Sequence, residues 1–276
     1  MRPVPNTSPE VEPTARGGFS QRVAVVVGGG SGLGRAVTTA LARQGANIVV
    51  ADFDGPRMNR ALEEILRLGT DEAAIALSTD VRSDASVRAL ARDAIKAMGR
   101  VDVVVNAAGV LLQGKLARIS SQDWTWMLET NLLGGVRTST AFLPHMTARD
   151  SGHIINVVSY GGLVPSDPAA VPYESGHAAL AAFTEGLARE MKGTGVDVSL
   201  YCPGSKGPRI GQNTRSRGVG RLFRGVDNVE DLSLQLDQLA ARLIEGLHHH
   251  HFLILGDPSD AAAIGPRWTG AAPSNQ

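Results

Sequence analysis

The sequence predicts a single doubly wound α/β domain built on a parallel sheet of about seven strands. Three observations carry that expectation. Short β-branched runs alternate with helix-length stretches, most of the runs are apolar nearly throughout, and a glycine-rich turn joins the first run to the first helix. A strand buried on both faces has no polar side to show, so it reads as a continuous apolar run rather than an alternating one. The βαβα order then favours one sheet with helices on both faces.

The runs are VAVVV (23–27), NIVVA (47–51), AIALS (74–78), VDVVVN (101–106), HIINVV (153–158), VDVSLY (196–201) and FLILG (252–256). After the first, GLGRAVTTALARQG has a helical pattern, with Gly45 placed to stop it in the left-handed conformation that commonly ends helices. DASVRALARDAIKAMG (84–99) reads as a further helix, with Asp84 as its N-cap. The rhythm breaks at 204–228, a long, polar, glycine-rich segment of the kind that forms substrate loops or lids. Residues 1–18, rich in Pro, Ser, Thr and Gly, read as a flexible leader, and 259–276 as a C-terminal tail. The folded domain is expected over 19–258.

The 276 residues balance 27 Lys and Arg against 27 Asp and Glu, for a formal net charge of zero. No overall field would draw such a chain onto nucleic acid or a charged membrane. Cys202 is the only cysteine, which rules out an intrachain disulfide and suits a reducing compartment. The apolar runs are too short to span a bilayer, and the leader lacks the hydrophobic segment of a secretory signal. A cytoplasmic protein with a small-molecule partner is expected.

The turn VVVGGGSGLGRA places Gly28, Gly32 and Gly34, with Ser31 and Leu33 between them, directly after the first strand and at the start of a helix. Glycines there permit a tight turn and let backbone amides approach a pyrophosphate, while the helix N-terminus supplies positive partial charge. Asp52 ends the second strand, where a carboxylate can accept both hydroxyls of an adenosine ribose. It would repel a 2′-phosphate, and the Gly28–Gly34 loop carries no Arg or Lys to offset this, so NAD is expected rather than NADP. Asp80 and Val81 follow the third strand at the same sheet edge. An S-adenosylmethionine site could use similar parts, but not the residues that come next.

Those residues carry a resemblance. The glycine turn, NAAG (106–109), Asn131 in ETNLLGG, Ser159 in IINVVSYGG, Tyr173 in YESGH and CPG (202–204) occur in one order. From about residue 19 to 256 the chain resembles the short-chain dehydrogenase/reductase family, whose fold is a Rossmann-type domain. The resemblance implies hydride transfer between a nicotinamide and a secondary alcohol or ketone. Ser159 would hold the substrate oxygen, Tyr173 would give or take the proton, and Asn131 would hold a water in a proton relay. Gly28, Ser31, Gly32, Leu33, Gly34, Asp52, Asp80, Val81, Asn106, Ala107, Gly109, His177, Pro203 and Gly204 would bind the cofactor. It also implies a homodimer or homotetramer formed through the helix of Tyr173, where AALAAF (178–183) would allow close packing.

The departures are informative. Val27 replaces the family's threonine and Ala107 its second asparagine, while Gly176 stands where serine is usual. The loop position that carries a nicotinamide-contacting threonine is Pro208, with Lys206 nearby as a conceivable substitute cation. Above all, His177 occupies the position of the family's lysine, one helical turn after Tyr173. Free tyrosine titrates near pH 10 and needs a neighbouring cation to act as a base near neutrality, yet an unperturbed histidine is mostly neutral at pH 7. Three readings follow: a working oxidoreductase with altered pH dependence, which the retained Ser159, Tyr173 and Asn131 favour; a family member that binds NAD but does non-redox chemistry; and a degenerate binding protein.

Other features have plainer readings. Four adjacent histidines, His248 to His251, do not converge on one ion as separated ligands do, so they read as a surface connection with at most adventitious metal binding. No metal site is expected. His145 and His153 read as structural or exposed, and Trp124 and Trp126 as core or subunit packing. Substrate choice is expected to lie with 204–228 and the residues near Val164.

Overall fold

A computed structural model describes residues 18–69, 73–205, 213–219 and 229–265. Residues 1–17 of the leader, Lys206, Pro208 and residues 266–276 lie outside the described residues. In chain order the elements are β1 (Val23–Val27), α1 (Gly32–Arg43), β2 (Asn47–Asp52), α2 (Gly55–Leu66), β3 (Ala74–Ser78), α3 (Asp84–Met98), β4 (Val103–Asn106), β5 (Leu111–Gly114), α4 (Ser121–Asn131) and α5 (Leu133–Ala148). The chain continues through β6 (Gly152–Val157), α6 (Val171–Glu190), β7 (Val196–Cys202), β8 (Thr214–Arg217), α7 (Val229–His248), β9 (Leu253–Leu255) and α8 (Ala261–Ile264).

All seven expected strands form and pair in parallel, in the order β3-β2-β1-β4-β6-β7-β9. Away from the edge strands β3 and β9, their apolar sequences bury both faces. In β1, Ala24 and Val26 pack with Val37 and Leu41 of α1, Met58 of α2 and Leu243 of α7. Val23, Val25 and Val27 point the other way, towards Leu90 of α3, Phe142 and Met146 of α5 and Leu187 of α6. The strand order reverses at the β1/β4 pair, which opens a crevice at the carboxyl ends of the strands.

Local signals succeed at most helix ends. Gly45 follows the last residues of α1 at φ +85°, as expected of a stop, and Gly99 caps α3 at φ +77°. The N-cap of α3 is corrected by one residue: Ser83, not Asp84, accepts the amide of Ser86, at 3.3 Å. Asp84 is the first helical residue and pairs instead with Arg137 at 2.9 Å. The expected tail also begins inside ordered structure. A helical turn at Pro258–Asp260 leads into α8, and Ile264 is buried with Leu180 and Phe252.

One expectation is corrected more substantially. Within the segment read as irregular, Thr214–Arg217 forms β8 and pairs in parallel with β5, giving a second, two-stranded sheet. Gly114 allows the two backbones to meet, since a Cβ there would lie 2.3 Å from the Arg217 carbonyl oxygen. Buried Gln113 donates to Ser216 Oγ at 2.8 Å. Asp123, buried in the first turn of α4, accepts from Nε and Nη2 of Arg217 at 2.9 and 2.6 Å. Hydrogen bonding from Arg217 lowers the Asp123 pKa to about 2. Its folded value is below its unfolded one, so this clamp contributes stability above pH 3.8 and loses it as the pH falls towards 2. Asp123→Asn should therefore lower the denaturant midpoint at pH 7 but flatten its decline between pH 3.8 and 2, as measured by urea titrations at each pH.

Candidate active site

The crevice is a cleft of about 1090 Å³. It runs from the glycine turn, past Asp52 and Asp80, to Ser159, Tyr173, His177, Pro203 and Gly204. Parallel strands make this convergence possible, because the segments after β1, β2, β3, β4, β6 and β7 all emerge at one sheet edge.

The glycine turn is shaped by contact as well as conformation. Gly28 sits at φ +80°, and a Cβ there would lie 2.7 Å from the Ala108 amide nitrogen. A Cβ on Gly34 would lie 2.1 Å from the Gly28 carbonyl oxygen, so α1 docks on β1 only because residue 34 has no side chain. Gly34→Ala should force α1 away from the turn at a cost of about 1–3 kcal/mol, read by chemical denaturation, with weakened dinucleotide affinity. Gly32, at φ +51°, has nothing beyond its chain neighbours and its own helix within 4 Å of where its Cβ would stand. The N-cap Ser31 makes no side-chain cap hydrogen bond. The helix start thus faces open space of the kind a pyrophosphate needs.

Asp52 is buried at the end of β2, where Oδ2 accepts the Gly30 amide at 3.1 Å and Oδ1 the Asp54 amide at 3.2 Å. Arg35, Arg57 and Arg60 also line this end of the cleft, which the linear reading of the loop missed. Arg35 pairs with Glu64 at 3.1 Å and Arg57 with Asp54 at 3.0 Å. Asp80 is paired with Arg82 at 2.7 Å. Val81 is buried, packed where a Cβ on Gly134 would stand. Ala107 and Gly109 border the cleft.

Asn106 and Asn131 do not. Asn106 is buried beneath it, donating to Asn156 Oδ1 at 2.8 Å and Ser139 Oγ at 3.3 Å. Asn131 ends α4, and its side chain both accepts from the Val110 amide and donates to the Val110 carbonyl, each at 2.8 Å. It fixes the turn between β4 and β5 and stands behind His177, 3.5 Å from Nε2.

Ser159 follows β6, and Tyr173 occupies the first turn of α6. Burial pushes the Tyr173 phenol up to about 12, against a smaller downward pull from its hydrogen bond with Ser159. One turn on, the His177 ring meets the Tyr173 ring edge-on, with centroids 4.5 Å apart. His177 is 6% exposed, and burial drops its pKa to about 4. The ring is neutral at pH 7 and supplies no charge to Tyr173.

The tautomer follows from the partners. Asn131 Oδ1 is committed to the Val110 amide, so the atom facing His177 is the donor Nδ2, and Nε2 must accept. The ring proton then sits on Nδ1, which is buried and has no protein partner. His177 borders the cleft, and an unpartnered polar atom in such a residue calls for an explanation beyond the protein's own contacts. Together with the open helix start, this is compatible with a dinucleotide lying along the cleft.

Three positioning residues escaped the sequence reading. Glu174 is buried and accepts from Ser166 N at 3.1 Å, Ser166 Oγ at 2.9 Å and Asp167 N at 3.1 Å, which holds the loop facing Tyr173. Asp260 accepts from Ser205 N and Oγ at 2.7 and 2.8 Å, anchoring the chain as it leaves β7. Met127 explains Gly176: a Cβ there would lie 2.7 Å from its Sδ, so α4 packs on α6 only over glycine. Trp126, besides packing beside Met127 as expected, borders the cleft under the Arg215 guanidinium, 3.9 Å from its ring centroid.

Comparison with known proteins agrees with this architecture. The chain is 34% identical over 184 residues to an uncharacterized oxidoreductase of Staphylococcus epidermidis, covering 67% of this chain and 77% of that one. A short chain dehydrogenase/reductase from Burkholderia phymatum, solved in complex with NAD, superposes with a TM-score of 0.74 at 28% identity, over 89% of this chain and 92% of that one. A variant of the actinorhodin polyketide ketoreductase, solved with NADPH, superposes with a TM-score of 0.64 at 32% identity, over 67% of this chain and 71% of that one. Residues 22–217 match the family model described as short chain dehydrogenase. The chain belongs to the short chain dehydrogenase family.

Proposed function

We propose that this protein is a nicotinamide-dependent oxidoreductase that interconverts a ketone and a secondary alcohol, working at neutral pH chiefly as a reductase. The observation that carries this reading is the Ser159–Tyr173 pair at one end of a cleft whose other end is the glycine turn and Asp52. Reduction requires a hydroxyl that stays protonated until the substrate oxygen becomes an alkoxide. Tyr173 meets that need, since burial holds its proton and none of the causes acting on it is a cation. Ser159 would orient the carbonyl oxygen towards the phenol. When bound, the cofactor supplies the hydride. His177, neutral, would donate from Nδ1 to a hydroxyl of the cofactor's ribose, keeping the binding half of the usual lysine's work without its charge.

We favour NAD over NADP. Asp52 presents a carboxylate where a 2′-phosphate would lie, and Arg35 and Arg57 already face Glu64 and Asp54. Solved relatives hold either cofactor, NAD in some and NADP or NADPH in others. We also propose that the protein assembles as a homodimer or homotetramer in the cytoplasm. The outward face of α6 supports this assembly, with Ser175, Ala178, Ala182 and Gly186 all exposed. No helix among the described residues is long and apolar enough to cross a membrane.

The test pairs calorimetry of NAD, NADH, NADP and NADPH with absorbance at the reduced-nicotinamide band over a ketone and alcohol panel. Sedimentation of the same sample reads the copy number. Tight NADH binding and ketone reduction support the reading. Binding without turnover on a broad panel would favour non-redox chemistry, and no binding of any of the four would remove the enzyme assignment.

A further inference from the structure

The opposite end of the sheet holds a second group of side chains that the cleft does not use. His153 on β6 and Asp197 on β7 are paired in register, so both project from the same face near the strands' amino ends. The connection from α7 to β9 brings His250 over them. Its ring stacks on His153 with centroids 6.0 Å apart, and its Nδ1 lies 2.6 Å from Asp197 Oδ2. One ligand atom from each of the three lies within 4.8 Å of the others.

The surroundings prepare His153 for a cation. Ser199 Oγ donates its single hydrogen to the His251 carbonyl at 2.6 Å, so it can only accept from His153 Nε2, 2.7 Å away. His153 therefore carries its proton on Nε2 and keeps a lone pair on Nδ1. This is the outer-shell arrangement that fixes tautomer and orientation in histidine metal sites. Asp197 brings the negative charge that favours an ion, and it offsets Arg22, whose charge also reaches His153.

We propose that His153, Asp197 and His250 form a site for a borderline divalent transition metal, Zn²⁺ foremost, with a fourth position open to water. Two imidazoles and a carboxylate suit Zn²⁺, Ni²⁺ or Cu²⁺ rather than Mg²⁺ or Ca²⁺. Tetrahedral zinc at its usual bond lengths sets neighbouring ligand atoms about 3.3 Å apart. His250 Nδ1 and Asp197 Oδ2, now 2.6 Å apart in a hydrogen bond, would part slightly and give up their shared proton as both close on the ion; their side chains are 54% and 44% exposed and can shift, while His153 stays fixed in the sheet. The ion would tie β6, β7 and the α7–β9 connection together far from the cleft. Of the histidine run, only His250 takes part: His248 packs on Phe19, and His249 stacks on His251.

The experiment is calorimetric titration of the full chain, stripped with chelator, with ZnCl₂, and a visible spectrum with CoCl₂ in its place. One Zn²⁺ per chain and a tetrahedral cobalt spectrum are expected. Ser199→Ala, which frees His153 to rotate, should weaken affinity about 10–100-fold. Asp197→Asn and His250→Ala should weaken it further, with nicotinamide-dependent turnover unchanged. The His249→Ala/His251→Ala double variant should bind as the parent does. Unchanged affinity in Asp197→Asn and His250→Ala, or loss confined to the double variant, would assign any binding to the histidine run and overturn the proposal, as would no binding at all.

Discussion

Tyr173→Phe is expected to lower turnover about 10²–10⁴-fold in both directions while leaving nicotinamide affinity unchanged. The substitution removes one hydroxyl and little else. The ring sits in the first turn of α6 against His177, and phenylalanine retains that edge-on contact. What disappears is the proton donor for the nascent alkoxide and the partner of Ser159. Single-turnover measurements with prebound cofactor isolate the chemical step, and calorimetry confirms that the cleft still binds. Survival of full activity in this variant would place proton transfer on another group and end the role assigned to Tyr173.

The second large effect is a gain. With His177 neutral down to about pH 4 and the Tyr173 phenol pushed up to about 12, the tyrosinate needed for alcohol oxidation is scarce at pH 7. Oxidation should rise with pH across the neutral and alkaline range, while reduction, which uses the protonated phenol, should stay level there. His177→Lys places a cation one helical turn from the hydroxyl. If that charge lowers the tyrosine pKa by about two units, oxidation at neutral pH rises roughly a hundredfold and its pH limb moves down by the same two units. His177→Gln, polar but uncharged, should leave the limb where it is. Rate–pH profiles of the three proteins decide it: an unmoved limb in His177→Lys would show that position 177 does not set the tyrosine's ionisation.

Much of the fold was legible because it is encoded in contiguous residues. The seven strands of the main sheet announced themselves as β-branched apolar runs, and Gly45 ended α1 as its type predicts. The second sheet escaped because neither of its strands has such a run. TRSR is wholly polar, and LLQG is four residues beside a turn; what holds them is Asp123, 94 residues away from Arg217 in sequence. The cofactor end was read from its glycines and Asp52, but Arg35, Arg57 and Arg60 join that wall only when α1 and α2 pack beside β2. Asn106 and Asn131 matched motifs and lie buried just behind the cleft lining, since a motif specifies order along the chain and not which layer of a wall a side chain occupies.

By itself, the sequence determined the doubly wound architecture, the glycine turn, the Ser159–Tyr173 pair and the substitution at position 177. Those depend on residue type, local backbone preference and spacing. Only the tertiary structure decided the state of His177. Its neutrality arises from burial among groups brought from elsewhere in the chain, Asn131 of α4 and Gly162 before α6 among them, with Asn131 assigning its proton to Nδ1. Desolvation belongs to the space around a group rather than to its neighbours in the chain. The meeting of His153, Asp197 and His250 has the same origin: three elements distant in sequence share one end of a sheet.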